Sequence, residues 1–143
     1  MSKKEKFYRY KAFYVVSDFI SQLIKAKEEK VKSIAVRPTT INKYLLNYLT
    51  ELGIIKGYYL IKKIYLIEVF IRYYDEEEEK NLNVVSVPSE LVDLDYEGLE
   101  LLKDTYPNYI YLLSTSEGLM LDVECLKKEI GGVVLLKISN VKN

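Results

Sequence analysis

Apolar positions first fall into a helical rhythm. Val16, Phe19, Ile20, Leu23 and Ile24 recur at helical spacing, and with Ser17 or Asp18 as N-cap they predict a helix to about Lys27. Residues 34–36 form a short strand candidate. Pro38 and Thr39 mark the next helix start, with Thr39 as N-cap. Ile41, Leu45, Tyr48, Leu49 and Leu52 give that helix an apolar stripe, and Gly53 ends it as a left-handed cap. Two strand-forming runs follow at 57–61 and 64–74, with Lys62 and Lys63 between them. The second is apolar on both faces, which predicts a central strand covered on both sides.

The period changes after an acidic run at 75–79, which reads as a solvated linker. Residues 82–87 suit a strand, 97–104 a short helix, and Pro107 with Asn108 turns the chain into an apolar strand at 109–113. A small hydroxyl turn follows, Ser114-Thr115-Ser116-Glu117-Gly118, then an apolar 119–121. Asp122 is placed to cap a helix over 123–130, Gly131 and Gly132 to stop it, and 133–138 to resume as a buried strand. The sum is an α/β (α+β) fold in two small lobes. A basic arm (1–11) precedes a helix-strand-helix-strand-strand lobe (12–74), and a linker (75–81) leads to a mostly β lobe with short helices (82–143).

Composition narrows the chemistry. With no His and one Cys, Cys125, the chain lacks histidine catalysis, the usual zinc sets and any disulfide framework; no cofactor, metal site, catalytic residue or small-molecule substrate is expected. Its apolar runs fall short of the roughly 20 residues that span a bilayer, so no membrane partner is expected either. The N-terminus has neither a secretory signal core nor the Arg content of an import presequence. A net charge of zero hides a split: residues 1–72 hold 15 Lys/Arg against 6 Asp/Glu, a net +9, and residues 73–143 hold the reverse, a net −9. Charge for a polyanion therefore lies in the first half, and the second must work by shape, hydrogen bonds or protein contact.

The order of parts from Ser114 to Gly132 adds a resemblance. Strand, Ser-Thr-Ser-x-Gly, Met, acidic helix start, Gly-Gly and apolar strand together resemble the C-terminal signature of the bacterial-type ribosomal small-subunit protein eight family. Val85-Ser86-Val87-Pro88 echoes that family's Val-Ser-x-Pro turn. Residues 41–55 are similar to its second helix, and Asp18-Phe19-Ile20-Ser21 to the Asp-Met-Leu-Thr of its first. Departures fall on charge: Gln22, Ile24, Glu90 and Leu91 stand at family Arg positions, and Val133 at a Glu position.

The resemblance implies a structural constituent of the small ribosomal subunit, docked on an irregular stem in the central domain of its rRNA and supporting assembly. Ser114, Thr115 and Ser116 would then supply hydroxyls to the RNA minor groove, and Gly118, Gly131 and Gly132 close backbone approach. Ser86 and Pro88 would position an adjacent loop, while Ser21, Lys25 and Lys27 would meet phosphates. Small-subunit protein five is the implied neighbour. Fourteen Tyr, no Trp and abundant Lys, Ile and Asn have the look of an AT-rich genome. With the lost basic positions, they suggest an organelle-encoded protein of a mitochondrial ribosome; a bacterium or plastid-type organelle is the alternative. Two other classes compete: a protein scaffold derived from the same family, and a winged-helix DNA-binding module built on residues 39–52 and the following hairpin.

Overall fold

The computed structural model describes residues 3–73, 80–84 and 91–140. Its twelve elements run α1 (Lys3–Glu29), β1 (Ser33–Val36), α2 (Thr40–Glu51), β2 (Ile55–Ile61), β3 (Leu66–Ile71), β4 (Lys80–Val84), β5 (Asp93–Leu94), α3 (Tyr96–Thr105), β6 (Ile110–Thr115), β7 (Gly118–Leu121), α4 (Asp122–Lys128) and β8 (Gly132–Asn140). They form two compact units, Val15–Glu79 and Met1–Tyr14 with Lys80–Asn143. This is a mixed α+β fold.

In the Val15–Glu79 unit the predicted element order holds, but α1 begins at Lys3 instead of at a cap near Ser17 or Asp18. Neither Gly nor Pro interrupts residues 3–16, and Ala12 and Phe13 extend the buried stripe of Val16, Phe19, Ile20 and Leu23 backwards. Asp18 lies inside the helix and accepts from Gln22 Nε2 at 2.9 Å. Ile24, counted in the stripe, is exposed, and Ala26 is buried instead.

Helix α2 starts as its sequence predicts. Thr39 Oγ1 accepts from the backbone N–H of Asn42 at 3.1 Å, satisfying a donor that the first turn leaves unpaired. Leu45, Leu46 and Leu49 are buried, and Gly53 takes the left-handed position at φ 73°. Strand β3 is central, antiparallel to β1 and β2. It is covered on one face only, however. Ile67, Val69 and Ile71 are buried while Leu66, Glu68 and Phe70 alternate outside the core, the period-2 pattern of a two-layer unit.

The other unit is built on an antiparallel sheet in the order β4-β8-β6-β7, with β5 also pairing β8. Leu99 of α3 and Cys125 of α4 pack with Tyr111, Leu113, Met120 and Val134 of the sheet. Asp95 caps α3, its carboxylate accepting from Gly98 N–H at 2.8 Å. Helix α4 departs from expectation at both ends. Leu121 is its N-cap and Asp122 its first residue; at the other end Glu129, not a glycine, takes the left-handed position at φ 55°. Lys127 and Lys128 in the last turn favour that end electrostatically.

Candidate nucleic-acid interface

The hydroxyl-rich stretch divides between strand and turn. Ser114 and Thr115 are buried residues of β6, and only Ser116, Glu117 and Gly118 are exposed. Ser114 pairs with Leu119 on one side and Val133 on the other. Thr115 Oγ1 accepts from Glu117 N–H at 3.1 Å and donates to Gly118 O at 2.8 Å, so this hydroxyl is spent on closing the tight turn. Gly118, at φ 106°, makes the return possible. Lys128 reaches Glu117 at 3.5 Å across the same surface. The predicted row of three hydroxyls is thus one exposed hydroxyl, Ser116, following two buried residues, of which Thr115 spends its hydroxyl on the turn.

Gly131 and Gly132 are needed for packing. A Cβ on Gly131 would lie 2.0 Å from Leu94 O, and one on Gly132 2.5 Å from Ser114 O. The start of β8 is wedged between β5 and the end of β6, where no side chain fits. That close approach also brings the two glycines beside Ser116. With Asp93, Leu94 and Asp95 they line an open concavity of about 560 Å³. The two aspartates are not among the residues the sequence singles out, because they reach the glycines only through the pairing of β5 with β8. They border the concavity with acceptors. Such a rim opposes phosphate and suits donors: ribose 2′-hydroxyls or the exocyclic amine that guanine presents in a minor groove.

A buried carboxylate anchors the hairpin from beneath. Asp122, 1% exposed, pairs with Lys103 of α3 at 2.9 Å through Oδ2. It also accepts from Tyr111 N–H of β6 at 3.3 Å and from Val123 N–H at 2.8 Å. Lys103 in turn donates to Tyr109 O at 2.6 Å. Two helices and the hairpin strand are tied through one ion pair. Burial, then Tyr109 and Asp122, raises the Tyr111 hydroxyl above its ordinary range. Burial, then Asp122, pushes the Cys125 thiol up to about 11, so it is a packed thiol and not a nucleophile.

Of the first-lobe residues, Ser21 and Lys25 are exposed one turn apart on α1. Lys27 is half-buried and lies about 200° round the helix from Lys25, so the three do not form one patch. Ser86, Pro88 and the acidic run at 75–79 lie outside the described residues. Among the described residues no group of three or more His, Cys, Asp or Glu could hold a metal ion, and no helix is long and apolar enough to cross a membrane.

Comparison with known proteins agrees with the resemblance. A family model described as ribosomal protein S8 matches residues 15–139. The chain is 27% identical over 129 residues to the small ribosomal subunit protein uS8 of Borrelia garinii subsp. bavariensis, covering 87% of this chain and 96% of that one. It is 30% identical to the uS8 of Chlorobaculum parvum (86% and 95% covered). It is 31% identical to that of Salinibacter ruber (86% and 94%).

Proposed function

The chain belongs to the ribosomal protein S8 family, and on that premise we propose how it meets its RNA. As a member it is a structural, non-enzymatic constituent of the small ribosomal subunit that binds rRNA in translation. Its contact in our proposal is the concavity at the β6–β7 turn, docked on an irregular stem in the central domain of small-subunit rRNA. One observation carries it: Ser116, Gly131 and Gly132, of which Ser116 is distant in sequence from the glycines, line one surface bordered by Asp93 and Asp95, a rim that suits donors better than phosphates. Ser116 supplies the hydroxyl, and Gly131 and Gly132, whose missing side chains let the strands close up, contribute backbone to the lining. Ser114, Thr115 and Gly118 hold the shape of the turn. Ser86 and Pro88 serve an adjacent loop. Phosphate neutralisation falls to the first half of the chain, with Ser21 and Lys25 on one face of α1 and Lys27 on another.

The division into basic arm (1–11), lobe (12–74), linker (75–81) and rRNA-binding lobe (82–143) belongs to the same proposal. So does the neighbour: the acidic second half suits a basic ribosomal protein, of which small-subunit protein five is the expected one. Ribosomal residence follows from the family. Mitochondrial residence is our finer proposal and rests on composition and the eroded arginines, with a bacterial or plastid-type ribosome as the alternative.

The test has two arms. The tagged protein should co-sediment with small subunits from its own cells and be released by RNase; sedimentation as an RNase-resistant complex would favour the scaffold alternative. Ser116→Ala should weaken binding to the isolated stem by about 0.5–1.5 kcal/mol at unchanged Tm. Unaltered affinity would remove Ser116 from the interface.

A further inference from the structure

Resting on the ribosomal function but independent of the β6–β7 concavity, we propose a second RNA-binding surface. It is the open face of the β1-β3-β2 sheet, where Tyr59 and Phe70 stack unpaired bases of a single-stranded segment.

The register defines the face. Glu68 is paired with Ala35 on one side and Tyr59 on the other, and Phe70 with Ser33 and Gly57. Directly paired residues, and those two apart in a strand, share a face. All six therefore lie opposite the buried Ile67, Val69 and Ile71. Tyr59 is 62% exposed and Phe70 38%. Gly57, beside Phe70, offers no side chain, and the space around its Cβ direction is open to 4 Å.

The solvent side of an antiparallel sheet ordinarily reads polar. Here it reads aromatic and aliphatic, and its polar members turn on each other: Ser33 Oγ donates to Glu68 Oε2 at 3.0 Å. That is the composition of a surface meant to be covered.

Charge names the occupant. Lys32 leads into Ser33, and Lys56 sits at the bulge beside Gly57, so both are at the Phe70 end. Lys62 and Lys63 occupy the turn at the other end, and all four lysines are exposed. Rings within and cations at both ends supply what an unpaired strand requires, stacking planes for bases and neutralisation for phosphates. An apolar protein segment would leave four ammonium groups without counter-charge. The Glu68 carboxylate has more lone pairs than the Ser33 bond uses, so it can also accept from an exocyclic amine.

The experiment uses the full chain and two RNAs: the family's stem and an unstructured oligonucleotide of about nine nucleotides. Wild type should bind both, and the oligonucleotide more weakly as salt rises. Tyr59→Ser with Phe70→Thr should weaken oligonucleotide binding on the order of a hundredfold, about tenfold per ring, with Tm and stem affinity unchanged. Tyr59→Phe should retain it. Ultraviolet cross-linking of wild type to the oligonucleotide should map to Tyr59 and Phe70, and this map decides the matter if the double variant does not fold. Wild type that binds the stem but no oligonucleotide would overturn the proposal, as would an unaffected double variant or cross-links elsewhere. Wild type that binds the oligonucleotide but not the stem would instead refute the β6–β7 assignment and leave this surface standing.

Discussion

Replacing Gly132 by alanine separates two explanations of the same glycine. If Gly132 exists to admit RNA, Gly132→Ala should weaken RNA binding in a protein of normal stability. If it exists to let the start of β8 pack beside the end of β6, the protein itself should suffer. Geometry favours the second. The new methyl would meet Ser114 O at 2.5 Å, Ser114 C at 3.1 Å and Thr115 Cγ2 at 3.1 Å. Ordinary carbon contacts lie near 3.5–4.0 Å, so the backbones must part by about 1 Å. They are neighbours in a ladder, Ser114 being paired with Val133, so parting strains its hydrogen bonds. Overpacking of this kind costs about 1–3 kcal/mol. At roughly 3–5 °C per kcal/mol for a chain of this size, Tm should fall by about 3–15 °C. Urea denaturation at unchanged m measures the same loss directly. RNA affinity measured well below Tm separates occupancy of the fold from contact. Normal stability with weakened RNA binding would refute the packing argument.

Three further outcomes follow from the same physics. Asp122→Ala strands Lys103 and the Tyr111 N–H around a buried site, and should cost about 3 kcal/mol by denaturation; no loss would mean that the ion pair holds nothing together. Leu45, 0% exposed in α2, should not tolerate Asp; an unaltered thermal midpoint for Leu45→Asp would contradict the helix phase. Cys125 should resist alkylation at neutral pH in the native protein and react on unfolding. Its folded pKa, about 11 against 9.0, means the unfolded chain loses its proton first. The stability it contributes is therefore full below about pH 9 and falls as pH rises toward 11, and equal stability at pH 8 and 10.5 in a Cys125-dependent comparison with Cys125→Ala would contradict it.

Local signals carried the order of elements well. Thr39 and Gly53 bracket α2 because a cap and a left-handed stop are set by neighbours in sequence. The same local logic gave only part of Asp122: its carboxylate does accept from Val123 N–H in the first turn, but it also serves Lys103 and Tyr111, partners brought close only by folding. Gly131 and Gly132 looked like a helix stop for the same reason. Their cause is the backbone of Leu94 and Ser114, which no window of sequence around them contains. At the site, the hydroxyl row was legible as a turn but not as two buried strand residues and one exposed tip. Phasing depends on where β6 ends, and Thr115 extends it by closing the hairpin with its own hydroxyl.

Charge division between the halves follows from what each surface can recognise. If the concavity bordered by Asp93 and Asp95 is the RNA contact we propose, it gains nothing from phosphate proximity, and its selectivity comes from donors on sugars and base edges. Hydrogen bonds of that kind are short-ranged and contribute modestly each. They discriminate well and attract poorly. Long-range attraction is left to the first half, where 15 Lys/Arg face 6 Asp/Glu and Ser21, Lys25 and the sheet-rim lysines are exposed. Moving cations onto the second half would strengthen attraction but would also pull phosphates toward a rim shaped for donors. On the proposed reading, the acidic half keeps the turn at Ser116 selective for donor edges, and the basic half supplies the attraction that such short-ranged contacts lack.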